Sequence, residues 1–421
     1  MSILSQFKQS QNTDFPNVRP SLDLKFALAK KLDPRITFTR GSTGTYFGSD
    51  GIMRTAGVNE PRFDHDPITG QSLGLLIEQL RFNLYTYSDI EGTVGEKPTN
   101  MNLFGPGRQT AVVSTDVSLG PNGQSCKHTR GTYSDNNVGY FGYGSHTLNL
   151  PYTASVYVYI PSSQAQNFLG KFIKFQVESV GASGIVDANV NIVDRWQRVS
   201  VTYTPTSETN VSIVARTNAN AGSFFYTDCW QLEQASFPTS YMPASGGSQF
   251  TRSADLAQMT GTNFSSWYNQ SEGSIIVNCN KPYPVPSNSF LNIVGIGNAI
   301  SGAGRNEINV GYLTEGLFSL ETYRNNVRIV ALYPGSSNIR TRISGVSYNQ
   351  TTDVYYLFTN NKTSASAIHR SHKQNIDFGT DLNTLYIGNN IFGSSNLCGT
   401  ISRLTYYPIQ LTNQQLINLT S

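Results

Sequence analysis

Side chains that could do chemistry are sparse in this sequence, and most stand alone. A glycosidase built on β-strands needs two carboxylates about 5 to 9 Å apart, one as acid and one as nucleophile or base. On a single strand that requires alternate positions, i and i+2 or i and i+4. Glu307, Glu315, Glu321 and Asp353 are each single on their segments, and Asp377 and Asp381 flank a glycine-containing turn. His369 and His372 fall in the polar run 364–373, which reads as a solvated loop, and no Gly-x-Ser-x-Gly elbow is present for nucleophilic catalysis. The triplet Asp64-His65-Asp66 has metal-ligand residue types. Strand neighbours point to opposite faces, however, and Asp66 directly before Pro67 reads as an Asx-turn residue. Cys126, Cys229, Cys279 and Cys398 are widely spaced without a CxxC pair, which indicates neither zinc nor redox chemistry and fits free buried thiols. No catalytic residue, metal ligand or cofactor is assigned, and the chain reads as a non-enzyme.

Binding chemistry is easier to place. Between two strand patterns lies a glycine-rich stretch, 132–146, with Tyr133, Tyr140, Phe141 and Tyr143 among Asp135, Asn136 and Asn137. Sugars stack flat C–H faces on aromatic rings while carboxylates and amides bind their hydroxyls, so Tyr133, Asp135, Asn136, Tyr140, Tyr143 and His146 form a candidate glycan platform. The alternative is that these rings cap the end of a sandwich or pack on a neighbouring subunit. Residues 1–18 are polar with isolated Ile3, Leu4, Phe7 and Phe15, the pattern of an anchoring arm that orders on a partner. A frayed tail is the competing reading.

The elements that must carry these residues are β-strands. At 421 residues the chain exceeds the ~250 to 300 that one hydrophobic core serves, which implies two or three domains. Charged residues are only 14%, apolar residues 38%, and Gly, Tyr and Phe number 37, 23 and 22, a composition suited to many short strands and tight turns. A net charge of +3, with no Lys/Arg run interleaved with aromatics, excludes nucleic acid as an obvious partner. No stretch approaches the ~20 apolar residues of a membrane span, so no membrane insertion is expected. Nor is there a basic start followed by an apolar core, so the chain is expected to fold in a cytoplasm. The fold class is all-β, with two β-sandwiches after a hairpin-rich N-terminal region. The divisions are an arm at 1–18, the hairpin-rich region at 19–82, a first sandwich at 83–245, a linker at 246–272 and a second sandwich at 273–421. Asp50-Gly51 between apolar runs signals a hairpin. Phe224, Tyr226, Asp228, Trp230 and Leu232 fall on alternate positions, as in a half-buried closing strand. Near the end, Thr412 with Gln415 forms a capping box and Leu411 with Leu416 a hydrophobic staple, so a short helix should start at Asn413.

Two stretches carry a resemblance. WQLEQASFPTSYMPASGGSQFTRSADLAQMTG followed by FSSWYNQSEGSIIV resembles the module junction of bacteriophage virion proteins, chiefly tail-fibre and related tail proteins. Upstream, RPSLDLKFALAKKLDPRITFTRGSTGTYF and NEPRFDHDPITGQSLGLLIE look like the opening block of the same proteins. The resemblance covers most of the chain but not residues 1–18. It implies a carbohydrate-binding-like jelly roll before the junction and a concanavalin A-like (laminin G-like) sandwich after it. It further implies a virion structural protein assembled in the host cytoplasm, a tail-associated fibre or adsorption component. The expected partners are other virion proteins through the arm, further copies in a homo-oligomer, and host-surface polysaccharide. A capsid decoration or head-fibre protein and a glycan-cleaving tailspike are the alternatives.

Overall fold

The computed structural model describes residues 15–420 except 100, 102–108, 118, 124–127, 134–141, 180–181, 208–209, 282–289, 299–304, 314–316, 333–340, 351–353, 360–367, 372–380 and 394–395. The chain is mostly strand, and it divides into two units. One unit comprises residues 40–71 and 80–254, the other residues 1–39, 72–79 and 255–421. The 19–82 region is therefore not a module of its own, because its strands are shared between the two units. Nor is 246–272 an open linker. It contains strands Phe250–Arg252 and Leu256–Thr260 and the helical turn Thr262–Ser265, each hydrogen-bonded or packed within its unit. Polar composition hid these short strands from a reading based on periodicity.

The 40–71/80–254 unit is a sandwich. One sheet runs Trp196–Tyr203, Tyr152–Tyr159, Phe224–Glu233, His128–Tyr133, Gln109–Ser114, and its facing sheet runs Gly142–Ser145, Asn210–Thr217, Ile173–Ser179, Ala182–Asp187. All these pairings are antiparallel. Inward residues alternate as a two-layer sheet requires: Val156 and Val158 on one strand, and Phe175 and Val177 on another, join Phe225, Trp230, Leu232, Ile213 and Ala215 in one buried cluster. Trp230 lies at its centre, 5.5 Å from the Phe175 ring centroid and 6.4 Å from that of Tyr85. Asp50-Gly51 makes the expected hairpin, with Gly44–Phe47 paired to Met53–Ala56 and Gly51 at φ 75°.

The Phe224–Glu233 strand departs from simple alternation. Its register against Tyr152–Tyr159 shifts between Ser155 and Tyr157, and Cys229 adopts a left-handed φ of 52°. This is a β-bulge: one extra residue reverses which face the following side chains use. Phe225 and, beyond the bulge, Trp230 and Leu232 point into the core, whereas Phe224, Tyr226 and Asp228 point outward. A β-branched residue tolerates positive φ worst and glycine best. Cys229→Val is therefore expected to unfold this unit at lower denaturant than Cys229→Gly, by about 1 to 2 kcal/mol. Equal midpoints in urea titrations would mean that the strain is not felt.

The other unit has a sheet running Ile368–Ser371, Val354–Thr359, Thr341–Asn349, Glu272–Asn280, Gly399–Tyr407, Ser72–Ile77, with Leu22–Leu24 also on Gly399–Tyr407. Its second sheet runs Thr37–Thr39, Leu256–Thr260, Thr384–Ile387, Phe290–Gly297, Glu307–Leu313, Leu317–Arg324, Val327–Leu332. Ile275, Val277 and Leu404 from the first sheet and Ile296, Ile308, Val310 and Phe318 from the second are buried. A helical turn, Phe26–Ala29, follows the Leu22–Leu24 strand and buries Phe26. The C-terminal helix spans Asn413–Thr420. Its capping box has Gln415 N–H 3.3 Å from Thr412 Oγ1 and Thr412 N–H 3.0 Å from Gln415 Oε1, and Leu411 and Leu416 are buried together.

Asp23 ties the Leu22–Leu24 strand to this unit through two bonds from Arg403, at 2.8 and 3.0 Å, and a 3.2 Å contact with Lys25. Desolvation raises its pKa, but the hydrogen bonds from Arg403 and Lys25 outweigh this and hold it below the ordinary value. A carboxyl depressed in the folded state stabilises above the unfolded value, near 3.9, and the contribution fades as pH falls through the lower folded value. The pair is partly exposed, so Asp23→Asn should cost no more than about 1 kcal/mol at pH 7. The gap to wild type should close below about pH 4; a gap that widened in acid would contradict the assignment.

Candidate functional site

The outward residues of the bulged strand belong to a row that crosses the sheet. Register places Trp196 opposite Tyr159, Tyr159 opposite Tyr226, and Tyr226 opposite Arg130. Directly opposed residues share a face, so these side chains line up across neighbouring strands. Ring centroids are 5.3 Å apart for Tyr159–Trp196, 6.2 Å for Tyr159–Tyr226 and 5.7 Å for Phe224–Tyr226. The Arg130 guanidinium lies 3.9 Å from the centroid of the Phe224 ring. Trp196, Tyr159, Phe224 and Arg130 are half-buried, while Tyr226 is almost covered.

Polar groups border the rings. Tyr226 donates to Asp116 Oδ2 at 3.0 Å, and Arg130 Nη1 is 3.4 Å from the same oxygen. Tyr159 donates to Asp194 Oδ1 at 3.3 Å, and Trp196 Nε1 to the Leu119 carbonyl at 2.9 Å. Burial, and then the bond to Asp116, push the Tyr226 phenol up to about 12; burial and Asp194 also raise Tyr159. The Ser162 N–H holds Asp194 below the usual carboxylate range. At neutral pH the face therefore presents protonated phenols between acid groups and a guanidinium. Half-exposed rings with hydrogen-bonding edges can stack an apolar ring face and bind the hydroxyls around it.

The residues expected from sequence are distributed differently. Tyr133 ends its strand with its backbone opposite Gln109, and Tyr143 lies on the facing sheet opposite Ser212; Asp135, Asn136 and Tyr140 fall outside the described residues. His146 needs correction as a residue lining an open platform. It is 3% exposed, with Nε2 2.6 Å from the Tyr203 hydroxyl and its ring 4.4 Å from that of Tyr152, so it belongs to the packed end of the sandwich. Ile3, Leu4 and Phe7 fall outside the described residues, and Phe15 is exposed. The row itself escaped sequence reading because it uses one or two residues from each of several strands. The available signal was Phe224 and Tyr226 at i and i+2.

The carboxylates also need correction. Glu307 and Glu321 are not isolated: Glu307 pairs with Tyr323 and Asn309 with Glu321, which puts both acids diagonally on one face of neighbouring strands. Each is already engaged. Glu307 accepts from Arg305 Nε at 2.5 Å and from the Ile391 N–H at 3.0 Å, and burial raises its pKa. Glu321 accepts from Arg328 at 3.0 Å and from Tyr323 at 2.8 Å. The 64–66 triplet is structural. Asp64 accepts the Phe47 N–H, His65 bonds the Phe47 carbonyl, and Asp66 makes the Asx turn with Ile68 and Thr69. His369 lies on a strand, Ile368–Ser371, not a loop, and His372 falls outside the described residues. Cys229, Cys279 and Cys398 are buried thiols outside any disulfide; Cys126 falls outside the described residues.

No protein-family model and no curated protein sequence matches the chain. Solved structures similar to parts of it include the CBM40 domain of the Ruminococcus gnavus IT-sialidase, at 16% identity and TM-score 0.32 over 38% of this chain and 88% of that one. The NanB sialidase of Streptococcus pneumoniae aligns at 10% identity and TM-score 0.32 over 38% of this chain and 26% of that one. The N-terminal CBM22 tandem of a Paenibacillus barcinonensis protein aligns at 10% identity and TM-score 0.25 over 78% of this chain and all of that one. Scores this low carry no weight, so the all-β assignment rests on the strands themselves.

Proposed function

We propose that this chain is a bacteriophage virion protein, a tail-associated adsorption component that holds host-surface glycan without cleaving it. The observation that carries the binding reading is the Trp196–Tyr159–Tyr226–Arg130 row with Phe224 beside it. The virion reading rests on the resemblance of residues 230–261 and 264–277 and of the opening block to phage tail proteins. Binding without cleavage is supported by Glu307 and Glu321, whose oxygens are engaged by arginines, a backbone N–H and a phenol. Residues 1–18 serve as the arm that joins other virion proteins, and Tyr133, Tyr140 and Tyr143 add further contacts. Single sites of millimolar affinity suffice, because several copies on one particle raise the effective concentration of the next site.

The test is adhesion of the purified chain to host-surface polysaccharide, with the polymer length followed over time. Retention with unchanged length is the expected result; shortening of the polymer would make the protein a tailspike enzyme instead. Removing residues 1–18 should leave this adhesion intact and abolish incorporation into particles. Normal particle occupancy of the truncated chain would show that docking uses another surface.

A further inference from the structure

Beside the aromatic row, within the same unit, lies a cavity of about 260 Å³. Asp228 connects the two: it is two residues from Tyr226 on the outward face of the bulged strand and also lines the cavity. The roof comes from the 44–56 hairpin, which contributes Thr45, Met53 and Thr55, and Asp89, Ile90, Asn122 and Pro243 complete the wall with Tyr241 and Cys229. The bulge at Cys229 turns this part of the strand towards the hairpin. There Cys229, Met53, Tyr157 and Tyr241 form a buried cluster, against which Trp196 of the row packs. The row and the cavity thus share one packed floor.

Three features restrict the occupant. The volume is just under the ~300 Å³ at which pockets for drug-sized ligands begin, so it suits one ring and its substituents and excludes a polymer segment. Among the described residues the wall carries two carboxyl groups, Asp89 and Asp228, and no Lys, Arg or His, so an acidic ligand would meet like charge. Its remaining polar groups are hydroxyls and an amide, interspersed with Met53, Ile90 and Pro243, a mixture that fits a molecule with both hydroxyls and C–H faces. Tyr241 donates to Asp89 Oδ1 at 2.6 Å and fixes the carboxyl, while Asp89 Oδ2 has no donor among the described residues and can accept from a ligand hydroxyl.

We infer that the cavity is a subsite for a single uncharged pyranose residue, a branch or terminal sugar of a glycan whose adjoining residues stack on the Trp196–Tyr159–Tyr226 row. This rests on the glycan-binding reading and adds the class of sugar, neutral and not sialic or uronic acid. Asp89 and Asp228 accept hydroxyl hydrogens, Thr45, Thr55 and Asn122 complete the polar contacts, and Met53 and Pro243 meet the C–H face.

The test uses the full chain and ligand-observed saturation-transfer NMR with methyl glycosides of neutral hexoses and N-acetylhexosamines, against N-acetylneuraminic acid, glucuronic acid and putrescine. Neutral glycosides should receive saturation, and the two acids and the diamine should not. Thr55 and Asp89 are both exposed, and Asn at 89 keeps an acceptor for the buried Tyr241 hydroxyl, so Thr55→Trp and Asp89→Asn should retain wild-type melting curves. The first should abolish the neutral-sugar signal by filling the mouth, and the second should weaken it about tenfold by removing a charged acceptor. As an independent readout, a neutral glycoside should slow labelling of Cys229 by a small thiol reagent, followed by peptide mass. Binding of the acids, displacement by putrescine, or an undiminished signal in Thr55→Trp would overturn the subsite. If polysaccharide retention is lost in Trp196→Ala but unchanged in both cavity variants, the glycan reading stands and this inference fails. If neither polysaccharide nor monosaccharide binds, the glycan reading fails with it.

Discussion

Glu233→Ala should destabilise the protein far more than any substitution in the aromatic row, lowering the stability of the 40–71/80–254 unit by about 3 to 5 kcal/mol. Glu233 is fully buried at the end of the bulged strand. Its Oε1 accepts from Gln231 Nε2 at 2.6 Å and from the Thr239 N–H at 2.9 Å, its Oε2 accepts from Thr239 Oγ1 at 2.5 Å, and Arg81 lies 3.9 Å away. Thr239 Oγ1 in turn accepts from Arg252 at 3.1 Å, and Ser240 Oγ accepts from both Arg62 and Arg252. The network fastens three separate stretches, around residues 62, 81 and 252, to the same sheet. Alanine leaves three donors without their acceptor in a site closed to water, and each such loss costs about 1 to 3 kcal/mol less whatever relaxation recovers. Glu233→Gln keeps one acceptor oxygen and the shape, so its cost should be nearer 1 to 2 kcal/mol. For a unit of this size the alanine variant should melt about 10 °C lower. A fall of under 3 °C by calorimetry would show that the sheet holds these segments without the carboxylate.

What the sequence disclosed and what it hid follow from the range of each interaction. The C-terminal helix was legible to the residue, because a capping box and a staple act within five positions of one another and need nothing from the rest of the chain. The Asp50-Gly51 hairpin and the Asp66 turn were legible for the same reason. The bulge at Cys229 was not. Phe224, Tyr226, Asp228, Trp230 and Leu232 keep an unbroken alternation in sequence, and only pairing with Tyr152–Tyr159 reveals that the first three face outward and the last two inward. The candidate site depends on that reversal. Likewise Glu307 and Glu321 were each single on a strand by spacing, and a register between strands placed them together. Period-2 reasoning assigns a face to each residue of a strand but cannot say which strands lie side by side or where an added residue changes the face.

Adhesion should be most sensitive to the row. Trp196→Ala with Tyr159→Ala removes two half-exposed rings that already contact each other at 5.3 Å, so both the stacking surface and its rigidity are lost together. Each ring in contact with a sugar face is worth on the order of 1 to 1.5 kcal/mol. The double variant should therefore bind host-surface polysaccharide about 30- to 100-fold more weakly as a single chain. On a particle the loss multiplies over simultaneously engaged copies, so adsorption should fall further than single-chain affinity does. Tyr226 is a poorer choice for this test, because it is almost fully covered and its hydroxyl holds Asp116, and its removal would confound binding with stability. Trp196 and Tyr159 lie at the open side of the sheet, and their loss should lower the melting temperature by only a few degrees. If the double variant melts near wild type and binds polysaccharide with unchanged affinity, the row is not the contact surface, and Tyr133, Tyr140 and Tyr143 become the next residues to replace. If binding survives in isolated chains but adsorption of assembled particles is lost, the rings face a neighbouring copy in the virion and act in assembly.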